Sequence, residues 1–343
     1  MKIRVIIILS ILSLLSGCKF YDHTNPLDPD YKGEMPIIKN IKEVYSFKFQ
    51  SWPLETPTCL DIRTEDEIYF GTNSGRVYKY TASSSSLIKI QAPNGAVEIT
   101  DIKVFDENYF FITASKEADS SFVFMYKDSK WTTICSVYKN SSLSGVYNEF
   151  ITFSFINSQE FFLVYQTTYG DVSPNDNKHE ILYYKNGILT EYDLPEEIYD
   201  IKAFDSKNVY ALGKSQLWSY DGIGWSSIQD ISNYSFKKFQ YIDNTSALLL
   251  GSSLYEYKNG LMKSLNISNP KDIHFLDINF GAIVVDNGDF TVYENGITKN
   301  YAISECGLMK VKMFNKNIGY SVGLGYQQQK CVIVKYGDFP LER

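Results

Sequence analysis

The chain has few side chains suited to chemistry: three histidines, five cysteines and a scatter of carboxylates in 343 residues. His23, His179 and His274 are far apart, and none has a second histidine at the close spacing with which one element grips a metal. There is no G-x-S-x-G elbow to activate a serine. The stretch Asp171-Val172-Ser173-Pro174-Asn175-Asp176-Asn177 offers oxygens at alternate positions, as calcium loops begin. It lacks the central glycine, and Leu182 stands where a bidentate acid would close the site, which makes it a solvated loop. Carboxylates paired for glycoside hydrolysis would meet only in space and are invisible in linear order. No catalytic residue, metal or cofactor is therefore assigned.

The elements that would position a site are easier to read. Between Ile198 and Ile231, four short runs suit a pleated surface: Asp200–Asp205, Asn208–Gly213, Gln216–Tyr220 and Trp225–Ile228. Asp221-Gly222 offers positive-φ positions for a tight hairpin between the third and fourth runs. The same turn recurs at Asn186-Gly187, Asn259-Gly260 and Asn295-Gly296, each shortly after a tyrosine, with looser versions at Asp128-Ser129 and Gly337-Asp338.

Aligned on Asp200, the first strands of successive units place Asp61, Asp101, Thr152, Asp200, Lys238, Asp272 and Lys310 in register. A four-strand unit repeating roughly every 40 to 50 residues is the pattern of β-propeller blades. Helical repeats of that period are excluded, because no stretch of 11 to 18 residues shows helical periodicity. The last unit has three strands, Met309–Asn315, Asn317–Gly325 and Cys331–Tyr336, and too little chain for a fourth. The unpartnered run Glu43–Gln50 precedes the first unit. An open edge invites aggregation, so this run is expected to complete the last blade as its outer strand. The prediction is an all-β fold: one propeller of seven four-stranded blades over residues 41–343, closed by the N-terminal strand, with six or eight blades as the alternative counts.

With 44% hydrophobic residues the chain can bury a large core, and all-β closed folds often run long as a single domain. The 27 Tyr and 22 Phe suit strands packed between sheets. A formal charge of −7, with no long basic stripe, argues against nucleic acid as a partner.

Residues 1–17 have the three parts of a secretory signal: Lys2 and Arg4, the apolar run Val5–Leu15, and the small pair Ser16-Gly17. The apolar run is too short for a membrane span, which needs about 20 residues. Leu15-Ser16-Gly17-Cys18 resembles the bacterial lipobox. That resemblance implies cleavage before Cys18, a lipid on its thiol, and anchoring of a soluble domain to a membrane. Residues 18–40, broken by Pro26, Pro29 and Pro36, read as a flexible stalk. Lys19, not aspartate, follows Cys18. The resemblance thus implies a bacterial cell-envelope protein, at the outer membrane or cell surface rather than the cytoplasmic membrane.

Gly71–Tyr80 and Asp221–Trp225 are similar to blades of bacterial WD40-like and sensor-type propellers, a likeness that implies fold more than function. The aspartate box of sialidases, S-x-D-x-G-x-T-W, is missing; in Ser219–Trp225 Ile223 stands where glycine is needed.

Four cysteines remain besides Cys18. Cys59 and Cys306 precede first strands and Cys331 opens a third. All three are placed at one end of neighbouring blades, where a disulfide would reinforce closure.

Longer connections, Ala114–Ser121, Tyr138–Asn148, Gln166–Glu180 and Gly325–Lys330, share one face, mostly on the second and third blades. Recognition usually occupies such loops. The candidate binding residues are Tyr138, Tyr147, Tyr169, Asp171, Asp176 and His179. The leading expectation is a non-enzymatic, lipid-anchored binding or scaffold protein with a protein or glycan partner. The alternatives are a glycan-active hydrolase or lyase over the central channel, and a carbohydrate or small-ligand sensor.

Overall fold

The computed structural model describes residues 33–48, 55–93, 96, 98–116, 120–138, 146–169, 178–303, 306–325 and 330–340. Ile41–Tyr336 form one compact unit; residues 1–40 with 337–343 form a second. The described residues contain 28 strands, β1 to β28 in chain order. They make seven four-stranded antiparallel sheets, the blades of a propeller. Six blades are consecutive meanders. The seventh has the order β1-β28-β27-β26, so β1 (Ile37–Lys48) is the outer strand beside β28 (Lys330–Pro340), β27 (Ile318–Gly325) and β26 (Cys306–Asn315). Closure by the N-terminal strand is therefore as the unequal repeat predicted.

The seven inner strands are β2 (Pro57–Thr64), β6 (Glu98–Asp106), β10 (Val146–Asn157), β14 (Ile198–Ala203), β18 (Lys238–Asp243), β22 (Pro270–Asp277) and β26. Every aligned residue from Asp61 to Lys310 falls in one of them. The core is divided into seven apolar clusters, one at each interface between neighbouring blades. In β3 (Glu67–Thr72) the alternation is plain: Tyr69 enters the cluster with the second blade, and Ile68 and Phe70 the one with the seventh. Both faces of the middle strands are buried, so they read as continuous apolar runs rather than alternating ones. Gly71 permits the close approach of the second blade, since a Cβ there would lie 2.5 Å from Ile99.

Asn186-Gly187, Asn259-Gly260 and Asn295-Gly296 have positive φ at both residues, as two-residue hairpins require, and Asp128-Ser129 does the same without glycine. Two turns differ from expectation. Tyr220 pairs with Trp225, so Asp221–Gly224 is a four-residue turn in which Asp221 Oδ1 accepts the Ile223 and Gly224 N–H groups. Gly337-Asp338 is not a turn: β28 runs straight through it to Pro340, because β1, and no later strand, completes that sheet. The longer connections also shrink. β10 and β11 (Glu160–Tyr169) run to 12 and 10 residues and take up much of what reads as loop in the sequence.

Candidate functional site

The inner strands surround a channel cavity of about 400 Å³. Of the residues aligned with Asp200, all but Asp61 line it, and Asp61 is buried beside it. The aspartates clasp one blade to the next. Asp61 Oδ2 accepts the Val104 N–H of the second blade at 2.9 Å. Asp101 Oδ2 accepts the Thr152 hydroxyl at 2.9 Å and the Phe153 N–H at 3.4 Å in the third. Asp200 Oδ2 accepts the Phe239 N–H at 3.0 Å, and Asp272 Oδ2 the Val311 N–H at 2.8 Å. Where no aspartate serves, the residue two places on does. Ser154 Oγ accepts the Ala203 N–H at 2.8 Å, and Gln240 Oε1 the Phe275 N–H at 2.8 Å. Five of the inner strands carry a β-bulge just before the aligned position. Such a bulge locally breaks the ladder and re-aims the side chain.

Two residues beyond this layer lies a second one: Lys103, Ser154, Lys202, Gln240, His274 and Lys312 all line the cavity. In the first blade the bulge lies before Cys59 rather than Asp61, so the sequence alignment is two residues out there. The structural equivalent in this layer is Asp61, which accepts the Val104 N–H as Ser154, Gln240 and His274 accept theirs. Arg63, farther along, pairs with Glu67 and Asp106. His274 Nδ1 accepts the Met313 N–H at 3.1 Å, which puts the ring proton on Nε2. Lys103 and Lys312 share Asp61, at 3.2 and 3.3 Å, and the Lys312 contact ties the seventh blade to the first. Lys238 pairs with Asp272 at 2.5 Å. Among the described residues Lys202 and Lys310 form no ion pair.

These contacts split the aspartates electrostatically. Burial raises the Asp61 carboxyl, but Lys312 and Lys103 outweigh it and hold the group below the usual aspartate range. Asp272 is held low in the same way by Lys238 and Lys310 against burial. Burial dominates at Asp101, which is raised, and at Asp200, pushed up to about 6 despite Lys238. His274 is held well below its ordinary value by burial and by Lys312, Lys238, Lys202 and Lys103, so it is neutral at pH 7. Burial and the neighbouring Lys312 and Lys103 also lower Lys202.

The raised Asp200 gives a direct expectation. Its folded value exceeds the unfolded one of about 3.9. The folded chain thus binds the extra proton, so Asp200 favours folding most below pH 4, and that contribution is lost as pH rises through about 6. A carbon-13 NMR titration should place the Asp200 carboxyl midpoint near 6; a midpoint at or below 4 would refute the dominance of burial.

Of the sequence-predicted residues, the channel position of His274 is as expected. The backbones of Tyr147, Tyr169 and His179 meet at one end of the third blade, where Val146 pairs with Tyr169, Tyr147 with Thr168 and Gln166 with His179. Tyr138 pairs with Ser120 in the second blade. Asp171, Asp176 and Cys18 lie outside the described residues. Cys59, Cys306 and Cys331 are free thiols in three different inter-blade clusters. Burial pushes Cys59 up to about 12 and Cys306 to about 11, and raises Cys331 well above the usual range. The lysine layer was missed from sequence, although the repeat register carried the signal two residues after each aligned position from Asp101 on.

No protein-family model and no curated protein matches the chain. Solved structures match it in fold. YCF48 from Cyanidioschyzon merolae is 12% identical, with a TM-score of 0.59 over 87% of this chain and 99% of that one. YCF48 bound to D1 peptide is 9% identical, with a TM-score of 0.59 over 85% and 96%. A streptogramin B lyase is 10% identical, with a TM-score of 0.63 over 88% and 98%. At such identities the likeness supports the β-propeller fold and nothing finer.

Proposed function

We propose that this chain is an exported, lipid-anchored propeller that binds a protein or glycan partner in the bacterial envelope and performs no chemistry of its own. One observation carries the binding reading over the hydrolase: each of the four aspartates at the channel accepts a backbone N–H of the neighbouring blade. A carboxylate committed in this way is a clasp, and a glycoside hydrolase needs two that are free to exchange protons or attack. The neutral His274 spends Nδ1 on the Met313 N–H in the same fashion. The peptide held by YCF48, a similar fold, is consistent with a partner-binding role.

The partner surface in this reading is the face where Tyr138, Tyr147, Tyr169 and His179 end or begin their strands, with Asp171 and Asp176 in the connection between β11 and β12 (Lys178–Lys185). Attachment is through Cys18. The anchor is tested by fractionating cells that express wild type or Cys18→Ala. The wild type should sediment with membranes and the variant should be released. Continued tight membrane association of the variant would sink the anchor. In the same cells, capture with the 170–177 connection replaced by a short turn should lose the partner that wild type retains. An unchanged captured set would move the partner to another surface.

A further inference from the structure

We propose that the second layer of the channel is a binding site for a small multivalent anion, a polyphosphate or polycarboxylate. It goes beyond partner binding on the loop face and does not depend on it.

The argument begins with hydrogen-bonding capacity. Lys103, Lys202 and Lys312 bring ammonium groups to the layer, His274 has its ring proton on Nε2, and the Ser154 hydroxyl keeps its proton to donate while its oxygen accepts the Ala203 N–H. Gln240 spends its carbonyl oxygen and an amide N–H on Phe275, at 2.8 and 2.6 Å, as Ser154 and His274 spend their acceptors on backbone N–H groups. Every uncommitted group is therefore a donor.

The charge is equally one-sided. Asp61 is shared between two lysines, and Lys202, only partly exposed, has no carboxylate partner among the described residues. Its Nζ lies 5.6 Å from the Phe204 ring, and the repulsion of Lys312 and Lys103 on it outweighs the attraction of Asp200. Unmatched cations facing one another in a partly desolvated cavity repel, and an anion between them relieves the repulsion. The concentration of positive charge is local, since the chain as a whole is at −7. A cavity of about 400 Å³ suits a small ligand rather than an inserted protein segment. Several converging ammonium groups favour more than one negative charge on it.

The test is calorimetric titration of the soluble domain, in Cys18→Ala background, with inorganic pyrophosphate and with citrate at matched ionic strength. Chloride serves as the control. Saturable binding at one site per chain is expected, and the stronger of the two probes identifies the phosphoryl or the carboxylate source. Lys202→Met should weaken binding about tenfold or more while melting no lower than wild type without anion, because repulsion has been removed. Lys214→Met, at an exposed lysine outside the channel, should leave affinity unchanged. Absence of saturable binding with both anions would overturn the proposal. So would equal affinity in a folded Lys202→Met.

Discussion

A chain lacking residues 1–50 is expected to fail to fold, while one lacking residues 1–36 melts like the full-length protein. The difference is β1. Without it the seventh blade has three strands, and β28 presents an unpaired edge to solvent. The Tyr45 ring lies tilted 5.3 Å from that of Tyr80 and Phe47 lies 5.2 Å from Tyr78, while Val44 joins the same cluster and its carbonyl accepts the Tyr80 hydroxyl at 3.3 Å. Ile41 enters the neighbouring cluster between the sixth and seventh blades. Ile41 is buried and Val44, Tyr45 and Phe47 are partly buried, so together they contribute roughly 3 to 6 kcal/mol, full burial of each being worth about 1.5 kcal/mol or more. That is of the order of a domain's whole stability. The loss also falls on the two interfaces that must form for the ring to close. Soluble yield and circular-dichroism melting are the measurements. A synthetic peptide spanning residues 37–50 should restore folding when added in trans, by strand addition to the open edge. A 51–343 chain that melted cooperatively at the full-length temperature would show that β1 does not close the ring.

Replacing Asp272 by alanine is expected to lower the melting temperature by roughly 3 to 6 °C at pH 7, and replacement by asparagine by about half as much. Asp272 is 3% exposed and joins the sixth blade to the seventh through the Val311 N–H, while its other oxygen holds Lys238. Alanine leaves the buried N–H without an acceptor, a cost of about 1–3 kcal/mol. The lost ion pair adds less than a buried one would, because the Lys238 side chain is 41% exposed in the channel and water can reach it. Asparagine keeps an acceptor for Val311 and loses the charge. The pH dependence has a definite sign. The folded Asp272 carboxyl is depressed below its unfolded value, so its contribution is fully present above about pH 4 and is lost as pH falls further. The gap between wild type and Asp272→Ala should therefore be constant from pH 5 to 8 and narrow below 4. Equal melting temperatures at pH 7 would remove Asp272 from the clasp.

Much of this architecture was legible in linear order because a propeller is built from local pairings. A meander brings together strands that are neighbours in sequence, so turn residues and short apolar runs report it directly. The aligned positions from Asp61 to Lys310 located all seven inner strands, and the shortfall of the last unit pointed to β1. Reading was weaker where the local signal had two structural outcomes. Asp221-Gly222 has the composition of a two-residue hairpin, yet the Asp221 carboxylate stabilises a wider turn. Gly337-Asp338 has the same composition, but the strand partner in that sheet comes from the other end of the chain.

What the sequence determined alone, then, was the repeat, its register in all but the first blade, and the closing strand. Each depends on contacts within a blade or on a count of strands. The tertiary structure alone decided what the repeated aspartates do and where the lysines meet. Asp200 reaches the Phe239 N–H, and Lys202 faces Lys103 and Lys312, only because the blades curve round a common axis. No periodicity within one unit encodes those distances. They arise from ring closure, which turns one column of residues in the alignment into a layer around the channel.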